Sequence, residues 1–226
     1  MTNQVFRDRQ HAGEVLAHSL ERFANRSDVL VLALPRGGVP VGFEVAKALR
    51  APLDVFIVRK LGVPGHKEYA MGALASGNVR VLNDEVVRML DIPAAAIEAV
   101  VRAEQRELER REQLYRDQRP PPDVRGRTVI LVDDGLATGS TMLAAVRALR
   151  RQQPARLVVA VPTAAADTCE ALRSEADEVI CATTPEPFRA VGLWYHDFSQ
   201  TSDDEVRALL ARARHAAPSP VQEARS

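Results

Sequence analysis

Five short apolar runs punctuate the chain: DVLVLAL (28–34), PLDVFIV (52–58), RTVILVD (127–133), ARLVVAVP (155–162) and EVICAT (178–183). Each is continuous rather than alternating, the pattern of a strand covered on both faces, as in a parallel sheet. The segments between them change period. Val15, Leu16, Leu20 and Phe23 recur at helical spacing within 10–25. VPVGFEVAKALR (39–50), 140–151, 165–175 and 203–213 read as further helices. Strand, turn, helix and strand in this order predict right-handed βαβ units. The expected fold class is α/β, a doubly wound, mostly parallel sheet.

Other stretches depart from that rhythm. Residues 59–78, RKLGVPGHKEYAMGALASGN, are dense in small residues and read as a long mobile loop with some β-ribbon. A loop of that length in a compact domain is usually a functional lid. VRVLN (79–83) follows as a short strand, with Asp84 as the cap of a short helix. Residues 93–117 predict one long helix. Ile97, Val101, Leu108 and Tyr115 form its apolar stripe, and Glu98–Arg102, Glu107–Arg111 and Glu112–Arg116 are favourable pairs four residues apart. RPPPD (119–123) stops it. A single domain over 1–213 is expected, with its core at 29–183 and a disordered tail at 214–226.

Charge and cysteine usage narrow the class. Thirty basic residues balance thirty acidic ones, so nothing supports a basic nucleic-acid surface or a membrane-binding face. The first residues, MTNQVFRDRQHAGEV, lack the apolar stretch of a secretion signal, and no run has the length of a membrane helix. A cytoplasmic protein is expected. Cys169 and Cys181 have no metal-type spacing and read as buried free thiols in a reducing compartment. The histidines form no zinc pattern.

The chemistry concentrates in ILVDDGLATGST (130–141). Asp133 and Asp134 close a buried strand side by side, which is costly unless a ligand uses them, because adjacent carboxylates repel and lose hydration. Vicinal hydroxyls or Mg2+ would give both a role. Ala137, Thr138, Gly139, Ser140 and Thr141 then open a helix whose N–H groups and dipole attract phosphate. A P-loop would need a lysine after the glycine, and a dinucleotide turn needs another glycine spacing than RGGVPVG provides. A sugar diol next to a 5′-phosphate is the ligand this stretch describes.

VILVDDGLATGST resembles the signature of the type I phosphoribosyltransferases, which bind 5-phosphoribosyl-1-pyrophosphate (PRPP), and the resemblance spans residues 29–200. It implies a flexible lid at 59–78 and a small C-terminal hood at 184–200 on the doubly wound sheet. It further implies that Asp133 and Asp134 hold the ribose hydroxyls and Mg2+, directly or through water, while 137–141 wrap the 5′-phosphate. LPRGGVP (34–40) resembles the pyrophosphate loop of that family, with Arg36, Gly37 and Gly38 against the anion and a cis peptide at Pro35–Arg36. Arg59 and Lys60 stand where the family places a pyrophosphate cation; read alone, they are exposed charges at a loop. A homodimer is a further implication.

The acceptor signals conflict. Where 6-oxopurine enzymes carry an aspartate, this chain has Ala137, and ATGST is closer to the adenine type. Glu68-Tyr69 matches the lid of adenine enzymes, which assigns Glu68 as general acid/base; a solvated loop carboxylate is the competing reading. RGG and FRAVGLWYHDF resemble the 6-oxopurine group instead, with Phe188, Trp194 or Tyr195 stacking on a flat base; an aromatic cluster sealing the sheet's edge is the competing reading for each. Asp197 lies one residue beyond that group's spacing after Val191-Gly192. The function expected is Mg2+-dependent phosphoribosyl transfer to a nitrogenous, purine-like acceptor. A non-catalytic PRPP or nucleotide sensor is the alternative, and a hydrolase of a phosphorylated ribose is a weaker one.

Overall fold

The computed structural model describes residues 5–117 and 119–216, without the side chains of Lys67, Glu68 and Ala216. Its elements follow the order α1 (Arg9–His18), β1 (Val29–Ala33), α2 (Gly38–Leu49), β2 (Leu53–Val55), β3 (Val58–Val63), β4 (His66–Ala75), β5 (Val79–Leu82), α3 (Asp84–Met89) and α4 (Ala94–Arg116). They continue with β6 (Thr128–Val132), α5 (Ser140–Arg151), β7 (Arg156–Thr163), α6 (Ala166–Leu172), β8 (Glu178–Thr183) and α7 (Asp203–Ala216).

The five predicted apolar runs supply one parallel sheet, in the order β2-β1-β6-β7-β8. Alternate residues of each strand feed separate cores. Val29, Val31, Ile130, Val132, Val158 and Ala160 pack with α1, α2, α4 and α7, whereas Leu30, Leu32, Val129, Leu131, Leu157 and Val159 pack with α5 and α6. Both faces are buried, which is why the runs are continuous. The sheet is doubly wound as expected.

Most of residues 59–78 are β-ribbon rather than loop, with turns only at 64–65 and 76–78. With β5 they make a separate antiparallel sheet, β3-β4-β5, packed on α4 and α5. Its hairpin turns at Pro64-Gly65, where Gly65 takes φ +81°, as the second central residue of a tight turn after proline requires. Small residues hid the strand period: at Gly72 a Cβ would lie 2.3 Å from the Val81 carbonyl oxygen of the neighbouring strand. Asn83, not Asp84, caps α3, its side chain accepting the Val86 N–H at 3.3 Å. Glu98 pairs with Arg80 of β5 at 2.6 Å rather than with Arg102, while the other two expected pairs form along α4.

Two further expectations change. Cys169 and Cys181 are joined in a disulfide rather than free. α6 packs on β8 and sets their Cα atoms 6.9 Å apart, a proximity that a spacing of 12 residues does not announce. Helix α7 extends to Ala216, so 214–216 belong to it and not to a tail; residues 217–226 lie outside the described part. Among the described residues no helix is long and apolar enough to cross a membrane.

Arg116, at the end of α4, has a side chain only 1% exposed. It meets Asp54 of β2 at 3.1 Å and Glu112 at 2.7 Å, and donates to the Val55 carbonyl at 2.6 Å. One guanidinium thus fastens the long helix to the edge of the main sheet. Removing one member of a buried ion cluster leaves the others uncompensated, at a cost of about 3–5 kcal/mol. Arg116→Ala should therefore lower the urea midpoint strongly, while Arg110→Ala, in an exposed pair with Glu107, leaves it nearly unchanged. Equal midpoints for the two variants would remove the anchoring role.

Candidate active site

Strands β1 and β6 lie side by side in parallel register, from Val29↔Thr128 to Ala33↔Val132, so both end at one level. The following helices, α2 and α5, pack on opposite faces. A crevice opens at such a switch point, beyond the carboxyl ends of the strands.

From β1 comes Leu34-Pro35-Arg36-Gly37, with the cis peptide at Pro35–Arg36 that the resemblance implied. The Gly38 N–H is used within the turn, donating to the Leu34 carbonyl at 3.1 Å. What the two glycines supply is room. A Cβ on Gly37 would sit 2.0 Å from Asp134 Oδ2, and one on Gly38 would sit 2.8 Å from the Val132 carbonyl oxygen and 2.9 Å from Asp133 Cα. The β1 turn is thus pressed onto the aspartate pair.

From β6 come Asp133 and Asp134. Asp133 Oδ1 accepts the Asp134 N–H at 2.9 Å. Asp134 Oδ2 accepts Nε of Arg9 at 2.8 Å, in a pair whose side chains are 11% and 16% exposed for Arg9 and Asp134. The Tyr195 hydroxyl donates to the Asp134 carbonyl at 2.6 Å. Burial, reinforced by the Asp134 charge, holds the Asp133 carboxyl well above its ordinary pKa. Burial also raises Asp134, with Arg9 opposing it. Arg9 is the residue that sequence reasoning missed. It lies 125 residues from its partner, in no motif, and its one local signal is Asp8, which caps α1 by accepting the His11 N–H at 2.8 Å.

The turn before α5 meets the antiparallel sheet. Gly139 takes φ +66°, and a Cβ there would lie 2.5 Å from Thr168 Cγ2. The Thr168 hydroxyl holds the turn by donating to the Ala137 carbonyl at 2.6 Å. Lys60 donates to Ser140 Oγ at 2.7 Å, and Thr138 Oγ1 lies 3.3 Å from the same oxygen. No side chain caps α5, so its first N–H groups, at Ser140, Thr141 and beyond, face out with the positive end of the helix dipole. The cluster suits an anion.

The other expected cations are held elsewhere. Arg59 is paired with Glu104 of α4 at 2.6 Å. Arg36 Nη1 lies 3.9 Å from Asp203, which also accepts the Tyr115 hydroxyl at 2.5 Å. Desolvation of Tyr115 and that bond push its pKa up to about 12.

The hood lies over Gly135, where a Cβ would meet Val191 Cγ1 at 2.5 Å. Phe188 and Trp194 stack with ring centres 6.3 Å apart. Tyr195 is buried between Phe6 and Phe198. Asp197 accepts the Ser199 N–H at 2.9 Å, which holds its carboxyl below the usual range. The side chain of Glu68 lies outside the described residues.

The raised pKa of Asp133 has a consequence for stability. Below the ordinary carboxylate range both folded and unfolded chains are protonated there, and no penalty exists. As pH rises through that range the unfolded chain ionises first, so folding is penalised, fully so above the raised folded-state value. In Asp133→Asn the amide oxygen can still accept the Asp134 N–H. The ligand-free variant should melt about 2–4 °C above wild type near neutral pH, the gain shrinking toward about pH 4. A variant that melts no higher refutes the burial penalty.

Comparison with known proteins bears on this site. Residues 74–196, just over half of the chain, match the phosphoribosyl transferase domain family. A Mycobacterium tuberculosis protein provisionally named a phosphoribosyl transferase is 50% identical over 210 residues, which is 93% of this chain and 47% of that protein. This chain spans about half the length of the curated relatives it matches over most of its own length. A stretch of 75 residues, 31% of this chain and 26% of the other, is 43% identical to a ribose-phosphate pyrophosphokinase from Methanopyrus kandleri. The crystal structure of a Thermus thermophilus protein, 41% identical, superposes with a TM-score of 0.82 over 92% of this chain and 99% of that one. The chain belongs to the phosphoribosyl transferase domain family.

Proposed function

We propose that this chain transfers a phosphoribosyl group from PRPP to a nitrogenous acceptor, with a purine-like base favoured, and releases pyrophosphate. One observation carries the reading: two half-buried carboxylates and an uncapped helix N-terminus lined by Thr138, Ser140 and Lys60 lie within one loop. Asp133 and Asp134 accept hydrogen bonds from the ribose 2′- and 3′-hydroxyls, and the 137–141 turn holds the 5′-phosphate. Family membership supports this assignment, as does the ribose-phosphate chemistry in the name of the Methanopyrus relative.

Pyrophosphate lies against the β1 turn, whose Gly37 and Gly38 leave no bulk there. Lys60 is close to the phosphate turn already. Arg59 reaches the anion only by exchanging Glu104 for it, whereas Arg36 is only loosely paired, 3.9 Å from Asp203. Among the described residues no three His, Cys, Asp or Glu side chains gather as a metal cage. Mg2+ keeps waters and substrate oxygens and needs one or two carboxylates. Asp133 and Asp134 would hold it, directly or through water, and it would offset phosphate charge. As the C1–O bond to pyrophosphate breaks and a C1–N bond forms, positioning and charge stabilisation supply most of the rate. Glu68 takes the proton from the acceptor nitrogen.

Phe188 and Trp194 provide the flat surface for the acceptor. Trp194 Nε1 is buried without a partner among the described residues, so an acceptor atom would satisfy it only if the hood shifts to uncover it. Tyr195, with its hydroxyl on the Asp134 carbonyl, contributes the edge of that surface.

Pyrophosphate release from Mg2+-PRPP, measured with a panel of purine and pyrimidine bases, tests the reading. Release with a purine is the expected result. Tight PRPP binding with no release for any acceptor would establish a sensor, and absence of binding would refute the donor assignment. Glu68→Gln is expected to lower kcat by about 10²–10⁴-fold while PRPP affinity stays constant; unchanged turnover removes Glu68 from the mechanism.

A further inference from the structure

We propose that Arg9 is a positioning residue that fixes one oxygen of Asp134, presents the other to the donor's ribose, and makes the assembled hood a condition of donor binding. This rests on the PRPP reading above.

Asp134 Oδ2 is enclosed on two sides. Arg9 Nε lies 2.8 Å from it, and the position of a Gly37 Cβ would be 2.0 Å from it and 3.2 Å from that same Nε. Oδ2, Arg9 and Gly37 thus form one packed contact, which leaves Oδ1 as the oxygen free to turn toward a ligand. Low exposure of both partners separates this pair from the surface ion pairs of the chain, which water screens.

Arg9 is itself held from the hood. Nη1 donates to the Ser199 carbonyl at 2.7 Å, and the guanidinium lies 4.0 Å from the centre of the Phe198 ring. Its backbone is tied in as well. The Phe6 N–H bonds the Trp194 carbonyl, the His196 N–H bonds the Phe6 carbonyl and the Asp197 N–H bonds the Arg7 carbonyl, all at 2.8 Å. The N-terminal segment is therefore a strut between the hood and the aspartate. The family match begins at residue 74, so Arg9 lies outside it.

Calorimetric titration of Mg2+-PRPP into wild type, Arg9→Gln, Arg9→Lys, Phe198→Leu, Asp134→Asn and the Arg9→Gln/Asp134→Asn double variant tests this, with melting temperature followed in parallel. Arg9→Gln should weaken binding about tenfold or more. Arg9→Lys, which keeps the charge but loses the fork that joins Asp134 to Ser199 and Phe198, should recover only part of that loss. Phe198→Leu, which loosens Arg9 and leaves Asp134 intact, should give a smaller loss in the same direction and covers the case in which Arg9→Gln folds poorly. On the Asp134→Asn background, Arg9→Gln should change affinity by no more than about twofold, because the two residues act as one unit. Additive losses, or a lowered melting temperature with unchanged affinity, overturn the assignment. Absence of PRPP binding by wild type overturns the donor reading and this assignment together. Wild-type binding matched by Arg9→Gln overturns this assignment alone.

Discussion

The parallel pairing of β1 with β6 is the constraint from which the site follows. Register from Val29↔Thr128 to Ala33↔Val132 ends the two strands together. The chain leaving each must therefore cross the same few ångströms. On one side stands a pair of carboxylates, and on the other only glycine fits, since Cβ atoms at 37 and 38 would enter the space of Asp134, Asp133 and the Val132 carbonyl. α2 and α5 leave toward opposite faces, the arrangement that in open α/β sheets places ligands beyond the strand ends. The apolar runs do the rest. With both faces of every central strand buried, a register slip would move each core set to the wrong layer.

Electrostatics then divides the site in two. At the aspartates, negative charge is held in a poorly solvated place and relieved by one cation, Arg9, drawn from the far end of the sequence. At the α5 turn the sign reverses, with helix N–H groups, hydroxyls and Lys60 facing out. A ligand carrying hydroxyls at one end and a phosphate at the other matches both halves at once. Arg59 is held by Glu104, and Arg36 lies 3.9 Å from Asp203, so part of the positive charge nearby is already paired within the protein.

The pieces around the crevice are anchored to the rigid sheet. Arg116 fastens α4 to β2. Lys60 links the β3-β4-β5 sheet to the start of α5. Thr168 clamps the Ala137 carbonyl from α6, and the Cys169–Cys181 disulfide ties that short helix to β8. The hood is joined to the N-terminal segment through backbone bonds of Phe6 and Arg7. Segments that are far apart in sequence thus share few but direct contacts around one loop.

The strands, the helices and the acidic loop were legible in the sequence because each is written locally: runs buried on both faces, helical spacing, and two carboxylates followed by small hydroxylated residues at a helix start. The antiparallel sheet was obscured because its strands carry Gly and Ala where bulk would mark the period, as at Gly72. Exposed-looking cations could not be assigned either, since the partners of Arg59, Arg36 and Arg9 lie 45 or more residues away and only packing selects them. The same holds for the disulfide, made by α6 folding onto β8, and for Tyr195, whose hydroxyl supports Asp134 from behind. Local pattern determined which backbone elements form and where carboxylates and hydroxyls cluster. Tertiary structure decided which charges on different elements face each other, because a salt bridge between distant segments depends on distance in space and, unlike the pairs four residues apart on α4, leaves no period in the chain.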